Sequence, residues 1–295
     1  PISTAGVFAG GSGDGWSRGG AAQPLNTAGL FSGGLGDGYA SNYGTNLKVS
    51  IQGLALLEGP YNAGTQMMND NLRAAGLVPL AEPYTALGYP NTPGSGGEAT
   101  TVGTLAIAGA GAVVDWVRVE LRDASTPATL LAVRHALLIR SGNMIDPATG
   151  DDFIQLNAPP GNYYIVVRHR NHLGVMTAAP VALTSVATEV DFSLSSTATF
   201  GSDAQKTIGQ EHVLWAGDVN GDHALKYTGT NNDRDPILIA VGGTVPTSTV
   251  TGQCRAEDVN MDGMIKYTGT SNDRDPILVN IGGTVPTNVR TEQVP

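Results

Sequence analysis

The chain has 295 residues, enough for two domains, of which 41% are hydrophobic, 14% are charged and 40 are glycine. A net charge of -10 disfavours phosphate backbones and anionic membranes, which reward basic surface, so no nucleic acid is expected as a partner and divalent cations are the natural counterion. The single cysteine, Cys254, excludes an intramolecular disulfide, and no apolar run reaches the ~18 residues of a membrane span, so no membrane insertion is expected.

The start, Pro1-Ile2-Ser3, has neither an initiator Met nor a basic-plus-apolar leader, and reads as a mature end from which a signal segment has been removed. Residues 1–46 form a Gly/aromatic-rich arm in which Gly6-Val7-Phe8 through Gly13-Asp14-Gly15-Trp16 recurs 23 residues later as Gly29-Leu30-Phe31 through Gly36-Asp37-Gly38-Tyr39. Glycine there permits positive φ and close backbone approach. A flexible linker is the plain alternative, but Phe8, Trp16, Phe31 and Tyr39 at matched offsets are costly to expose, and predict docking on a folded surface of this subunit or a neighbour.

From Leu47 to Leu54 apolar residues alternate as in a strand. Met67 to Ala75 suits a short helix, and Pro79 to Gly97, with Pro83, Pro90 and Pro93, reads as an irregular excursion. Strand patterns follow at 113–121, 130–139, 153–156, 163–168, 181–183 and 190–194. In the first of these, Asp115, Val117, Val119 and Leu121 share one face, with Trp116, Arg118 and Glu120 on the other. Short strands at this spacing predict a mainly β fold, an antiparallel β-sandwich over 47–200, followed by a polar Ser/Thr-rich connection from Ser195 to Gln210.

The turn Ala158-Pro159-Pro160-Gly161-Asn162-Tyr163-Tyr164 resembles that of transthyretin-like or carboxypeptidase-regulatory β-sandwiches, in which a Pro-Gly-x-Tyr-Tyr turn precedes a core strand. The runs Val114 to Asp123 and Tyr163 to Met176, with the Asn-Asp-Arg-Asp-Pro repeats downstream, look like modules of large secreted surface proteins of the Bacteroidetes. That resemblance covers about residues 47–295, and implies export and display at the cell surface without assigning a reaction.

Residues 201–295 hold a 40-residue tandem repeat, expected to form a small domain of two calcium loops, each followed by a short helix. Asp218, Asn220 and Asp222 in the first copy, and Asp258, Asn260 and Asp262 in the second, place carboxylate, amide and carboxylate at alternate positions, as a hard oxygen-seeking cation requires. Calcium is therefore the expected cofactor. Each copy resembles a dockerin or EF-hand half-site, which implies backbone carbonyl ligands at Ala224 and Met264. The twelfth position, acidic in that family, is Gly229 or Gly269, so the loop must enlarge to reach Asp233 or Asp235, and Asp273 or Asp275. Asp235 and Asp275, each before a proline, also suit helix capping. His223 replaces the glycine retained as Gly263, which predicts a distorted first site.

His169 and His172 are expected to splay apart at a strand end, forming a polar cluster at the sandwich edge. No nucleophile elbow, Cys/His pairing or phosphate-binding loop is present, so no enzyme is expected. The leading expectation is a secreted, calcium-stabilised structural protein that assembles head to tail with copies of itself into an extracellular fibre or surface layer. The rivals are an adhesin or carbohydrate-binding module for cell-surface glycans, with Trp116 and Tyr89 as candidate exposed aromatics, and a dockerin-type anchoring module.

Overall fold

The computed structural model describes residues 47–295. The arm, with Phe8, Trp16, Phe31 and Tyr39, lies outside the described residues. Val49–Leu156 and Pro160–Pro295 form one compact unit, mainly β and built from antiparallel sheets.

The main sheet is organised around Val113–Asp123, which pairs antiparallel with Leu130–Ile139 on one side and Gly161–His169 on the other. Met144–Ile145 extends the first edge, and both His172–Met176 and Val181–Leu183 pair with Gly161–His169. A second sheet has Val49–Leu54 at its centre, antiparallel to Ile154–Leu156 and parallel to Thr188–Asp191. Residues 67–75 divide differently from the expected helix: Met67–Met68 pairs with Tyr61–Asn62, and only Asn71–Ala74 is helical.

Alternation in the central strand predicts one apolar face, yet every residue from Val113 to Arg122 is buried. The excursion after Pro79 explains this, because it lies over the second face. Trp116 Nε1 donates to the Pro79 carbonyl at 2.8 Å, Tyr84 donates its hydroxyl to the Trp116 carbonyl at 2.9 Å, and Arg118 donates to the Pro90 carbonyl. Trp116 is fully buried and offers no stacking face for a glycan.

Arg118, Glu120 and Arg122 on that covered face satisfy one another. Glu120 accepts from Arg118 Nε at 2.7 Å and Arg122 Nη2 at 2.6 Å, and faces Arg168, which pairs in turn with Glu292. Burial raises the Glu120 pKa, but Arg168, Arg118 and Arg122 together outweigh it and hold the carboxyl below its usual range.

Residues 195–210 are not the plain connection expected from their composition. Gln205–Ile208 pairs antiparallel with Glu211–Leu214, and Leu214 donates its N–H to the Leu56 carbonyl. The boundary drawn near residue 200 is crossed repeatedly. Glu58 accepts from the Ala216 N–H and from Asn280 Nδ2, and a Cβ at Gly59 would strike the Val259 carbonyl.

Each repeat consists of a loop, a three-residue strand and a seven-residue helix, Arg234–Ala240 or Arg274–Asn280. The copies complete each other. Ala224–Lys226 pairs with Val289–Thr291 beyond the second helix, while Met264–Lys266 pairs with Thr249–Thr251 beyond the first. Thr228 donates to the Pro286 carbonyl and Thr268 to the Pro246 carbonyl. Val219, Ile237, Val259, Ile265 and Ile277 share one buried apolar cluster, so neither copy has a complete core alone.

Candidate metal centre

The loop of each repeat is folded by its own side chains. In the first, Asn220 Oδ1 accepts from the Asp222 N–H at 2.8 Å, Asp222 Oδ1 from the Ala224 N–H at 3.1 Å, and Asp218 Oδ2 from the His223 N–H at 3.2 Å. The second copy repeats these bonds through Asn260, Asp262 and Asp258, to the N–H groups of Asp262, Met264 and Gly263. Small acidic and amide residues at alternate positions hold a tight turn this way.

In the turn before the strand of each copy, left-handed backbone is needed at two positions, of which one is glycine. Gly221 and His223 adopt φ of 72° and 65°, whereas Met261 and Gly263 adopt 57° and 87°. The non-glycine cost is therefore shared between copies, not confined to His223. Contacts from His223 Nδ1 to Glu292 at 3.2 Å and to Arg168 at 3.3 Å hold its side chain.

Of the two acids available to close each loop, the structure distinguishes clearly. Asp233 is fully buried: Oδ1 accepts from the Val219 and Asn220 N–H groups at 2.8 and 3.3 Å, and Oδ2 from Lys226 N–H at 2.8 Å. Asp273 makes the same three bonds to Val259, Asn260 and Lys266. Asp235 and Asp275 instead pair with the neighbouring Arg234 and Arg274, and their side chains are 50% and 53% exposed. The helix-capping side chains are Asn232 and Asn272, whose Oδ1 atoms accept from the Asp235 and Asp275 N–H groups.

Burial is the largest cause of the carboxyl shifts in both loops. It raises Asp218 and Asp258 to about 6, and Asp233 and Asp273 to about 7. Repulsion from Asp218 adds to the rise at Asp233, and repulsion from Asp258 and Asp262 adds to that at Asp273. Asp218 Oδ1 is buried with no hydrogen-bond partner among the described residues, whereas the equivalent Asp258 Oδ1 accepts from Asp262 N–H at 3.1 Å. Asp222 is tied to Lys226, so the loop acids do not all converge. An all-oxygen set with an unfilled acceptor and carboxyls shifted upward fits a hard dication, which would supply the missing partner and offset the repulsion.

Among the described residues, the group of three His, Cys, Asp or Glu side chains whose ligand atoms all lie within 4.8 Å of one another is elsewhere, at Glu82, Glu98 and His135. No sequence spacing marks it. Glu82 already accepts from the Thr85 and Gly97 N–H groups, and His135 Nδ1 meets Glu98 while Nε2 lies 3.5 Å from Arg118. These bonds fasten the excursion to Leu130–Ile139.

His169 and His172 do not splay. They are cross-strand partners around the two-residue turn Arg170-Asn171, with Nδ1 atoms 3.1 Å apart, and His169 Nε2 lies 3.2 Å from Asp115. His172 Nε2 accepts the Gly59 N–H at 3.1 Å, which places the proton on Nδ1. Burial pushes His169 down to about 3 and His172 well below its ordinary value, so both rings are neutral. No protein family, curated protein or solved structure matches this chain.

Proposed function

We propose that this chain is a secreted, non-enzymatic structural protein, stabilised by calcium, that assembles head to tail with copies of itself into an extracellular fibre or surface layer. The two main sheets are read as the halves of a β-sandwich that serves as the rigid body of the subunit. The observation that carries the calcium part is the duplicated loop, with buried Asp233 and Asp273 at its centre and an unpartnered Asp218 oxygen. Calcium loops that tie two half-cores together stabilise a fold and perform no chemistry on a substrate.

Assembly is supported by matched apolar surface on the repeats. Ile239 is 73% exposed and Val279, its counterpart, 58%. The arm's paired aromatics supply anchors of the kind that strand addition uses. No helix among the described residues is long and apolar enough to cross a membrane, and the export reading rests on the surface-protein resemblance. The test is particle size of the full chain with calcium and after chelation. Polymers in calcium that shorten or dissociate on chelation support the proposal, and monomers throughout overturn it.

A further inference from the structure

Lys206, Glu58 and Asn280 come from three separate parts of the chain and meet in one place. Lys206 lies in Gln205–Ile208, Glu58 follows the strand Val49–Leu54, and Asn280 is the last residue of the second repeat's helix. Lys206 Nζ donates to Glu58 Oε1 and, at 2.8 Å, to Asn280 Oδ1. Asn280 Nδ2 donates to Glu58 Oε2 at 2.6 Å and to the Ala216 carbonyl at 2.9 Å. Two acceptors on one side and an ammonium on the other settle which end of the amide is oxygen.

The surroundings hold the three groups in place. Asn280 is 1% exposed, and the side chains of Glu58 and Lys206 are 12% and 24% exposed. Glu58 Oε2 also accepts the Ala216 N–H at 2.9 Å, and Lys206 Nζ lies 5.6 Å from the centre of the Trp215 ring, a cation–π contact. The repeats differ at this position. Arg234–Ala240 and Arg274–Asn280 match closely in sequence, yet the first copy has Ala240 where the second has Asn280. The amide stands in the copy that meets Lys206.

An amine, a carboxamide and a carboxylate in mutual contact are the two reactants and the base for an amide bond between side chains. We propose that Lys206 and Asn280 join covalently, with Glu58 as the proton carrier. Glu58 takes a proton from the Lys206 ammonium, and the freed Nζ lone pair attacks Asn280 Cγ, one bond beyond the Oδ1 that Nζ already touches. The Cγ–Nδ2 bond then breaks as Nδ2 gains protons through Glu58. In all, two protons pass from Nζ to Nδ2, so an ammonium ion leaves, Glu58 is again a carboxylate, and neither oxidant nor water is consumed. Such amide exchange is very slow between free molecules, but well-oriented groups reach effective concentrations on the order of 10⁵–10⁸ M. The bond forms once per chain and is a maturation step without turnover. It closes a loop between positions 74 residues apart and does not depend on assembly.

Mass spectrometry of the folded full chain tests this. The expected mass is one ammonia below that of the sequence, with trypsin failing to cut after Lys206 and tandem spectra showing the Lys206 and Asn280 peptides as one branched species. Lys206→Arg keeps the charge and Glu58→Gln keeps the shape, and both variants should fold, judged by circular dichroism, and retain the full mass. Lys206→Arg should also melt on the order of 10 °C below the native chain, because the loop is no longer closed. Should either variant misfold, the mass of the native chain alone decides. A native chain of full mass that trypsin cuts after Lys206, even after prolonged incubation in the folded state with calcium, overturns the proposal. So does a loss of ammonia that maps to another site, such as Asn220-Gly221. Bond formation at the native rate in Glu58→Gln overturns the role given to Glu58.

Discussion

At the scale of single residues, the carboxyl that closes each loop is decided by burial, and substitution separates it from its neighbour. Asp233→Ala strands three backbone N–H groups and should lower stability in chelator by on the order of 3 kcal/mol. Asp235→Ala removes a half-exposed partner of Arg234 and should cost less than about 1 kcal/mol. Denaturant midpoints measure both, and a larger loss at Asp235 would reverse the assignment. Both acids were visible in the sequence, but spacing alone could not choose between them, since each lies past the twelfth position and only the tertiary path shows which turns inward. The histidine pair was misread because the strand-end argument placed both rings on one strand, whereas the turn Arg170-Asn171 makes them partners across two. Its folded pKa values lie below the ordinary 6.5, so the unfolded chain takes up protons first as pH falls. Stability from the neutral pair is fully present above pH 6.5 and declines below it, by about 1.4 kcal/mol per pH unit for each ring. Proton NMR of the full chain should show His169 and His172 neutral at pH 5, with His223, raised by its hydrogen bond to Glu292, charging above its ordinary value. Titration of either buried ring near 6.5 would contradict the arrangement.

At the scale of elements, the strands with strong alternation were legible, and Leu130–Ile139 and Val181–Leu183 have the expected limits. What sequence pattern missed are pieces whose partners come from far along the chain. Gln205–Ile208 is polar and short, and becomes a strand only beside Glu211–Leu214. The burial of Arg118 and Glu120 depends on a proline-rich segment whose composition suggested nothing more than a loop. The repeats were legible as paired units because identity at a 40-residue period exposes them, but the exchange of strands between copies was not, since no local pattern specifies it. Calcium should therefore act on both copies together. The loop carboxyls have folded pKa values above the usual range, so metal-free stability from their protonated forms is present at low pH and lost as pH rises through about 6 to 7. Calcium competes with those protons. At 100 times its dissociation constant it should raise the thermal midpoint by about 5–10 °C at pH 8, clearly less at pH 5, and less in an Asp258→Ala, Asp262→Ala double variant. An unchanged melting curve after thorough chelation at pH 8 would remove calcium from the account.

At the scale of the whole molecule, loops, hairpin tip and sheets of the described residues hold one another. Glu58 reaches Asn280, Asn171 reaches Asp258, and Arg168 reaches Glu292, so the repeats brace the strands and are not a tag that swings free. In the proposed head-to-tail assembly the contact is heterologous, and such a contact propagates into a filament unless its rotation closes a ring. Removing residues 1–46 should then abolish polymers while leaving a folded monomer that still responds to calcium. Trp16→Ala with Tyr39→Ala should weaken assembly more than stability if, as proposed, these rings serve as anchors on a neighbour. Particle size by light scattering, read beside the thermal midpoint, separates the two effects. If the shortened chain forms the same polymer, the interface lies on the sheets or on the exposed Ile239 and Val279 of the repeats, and the arm has another role.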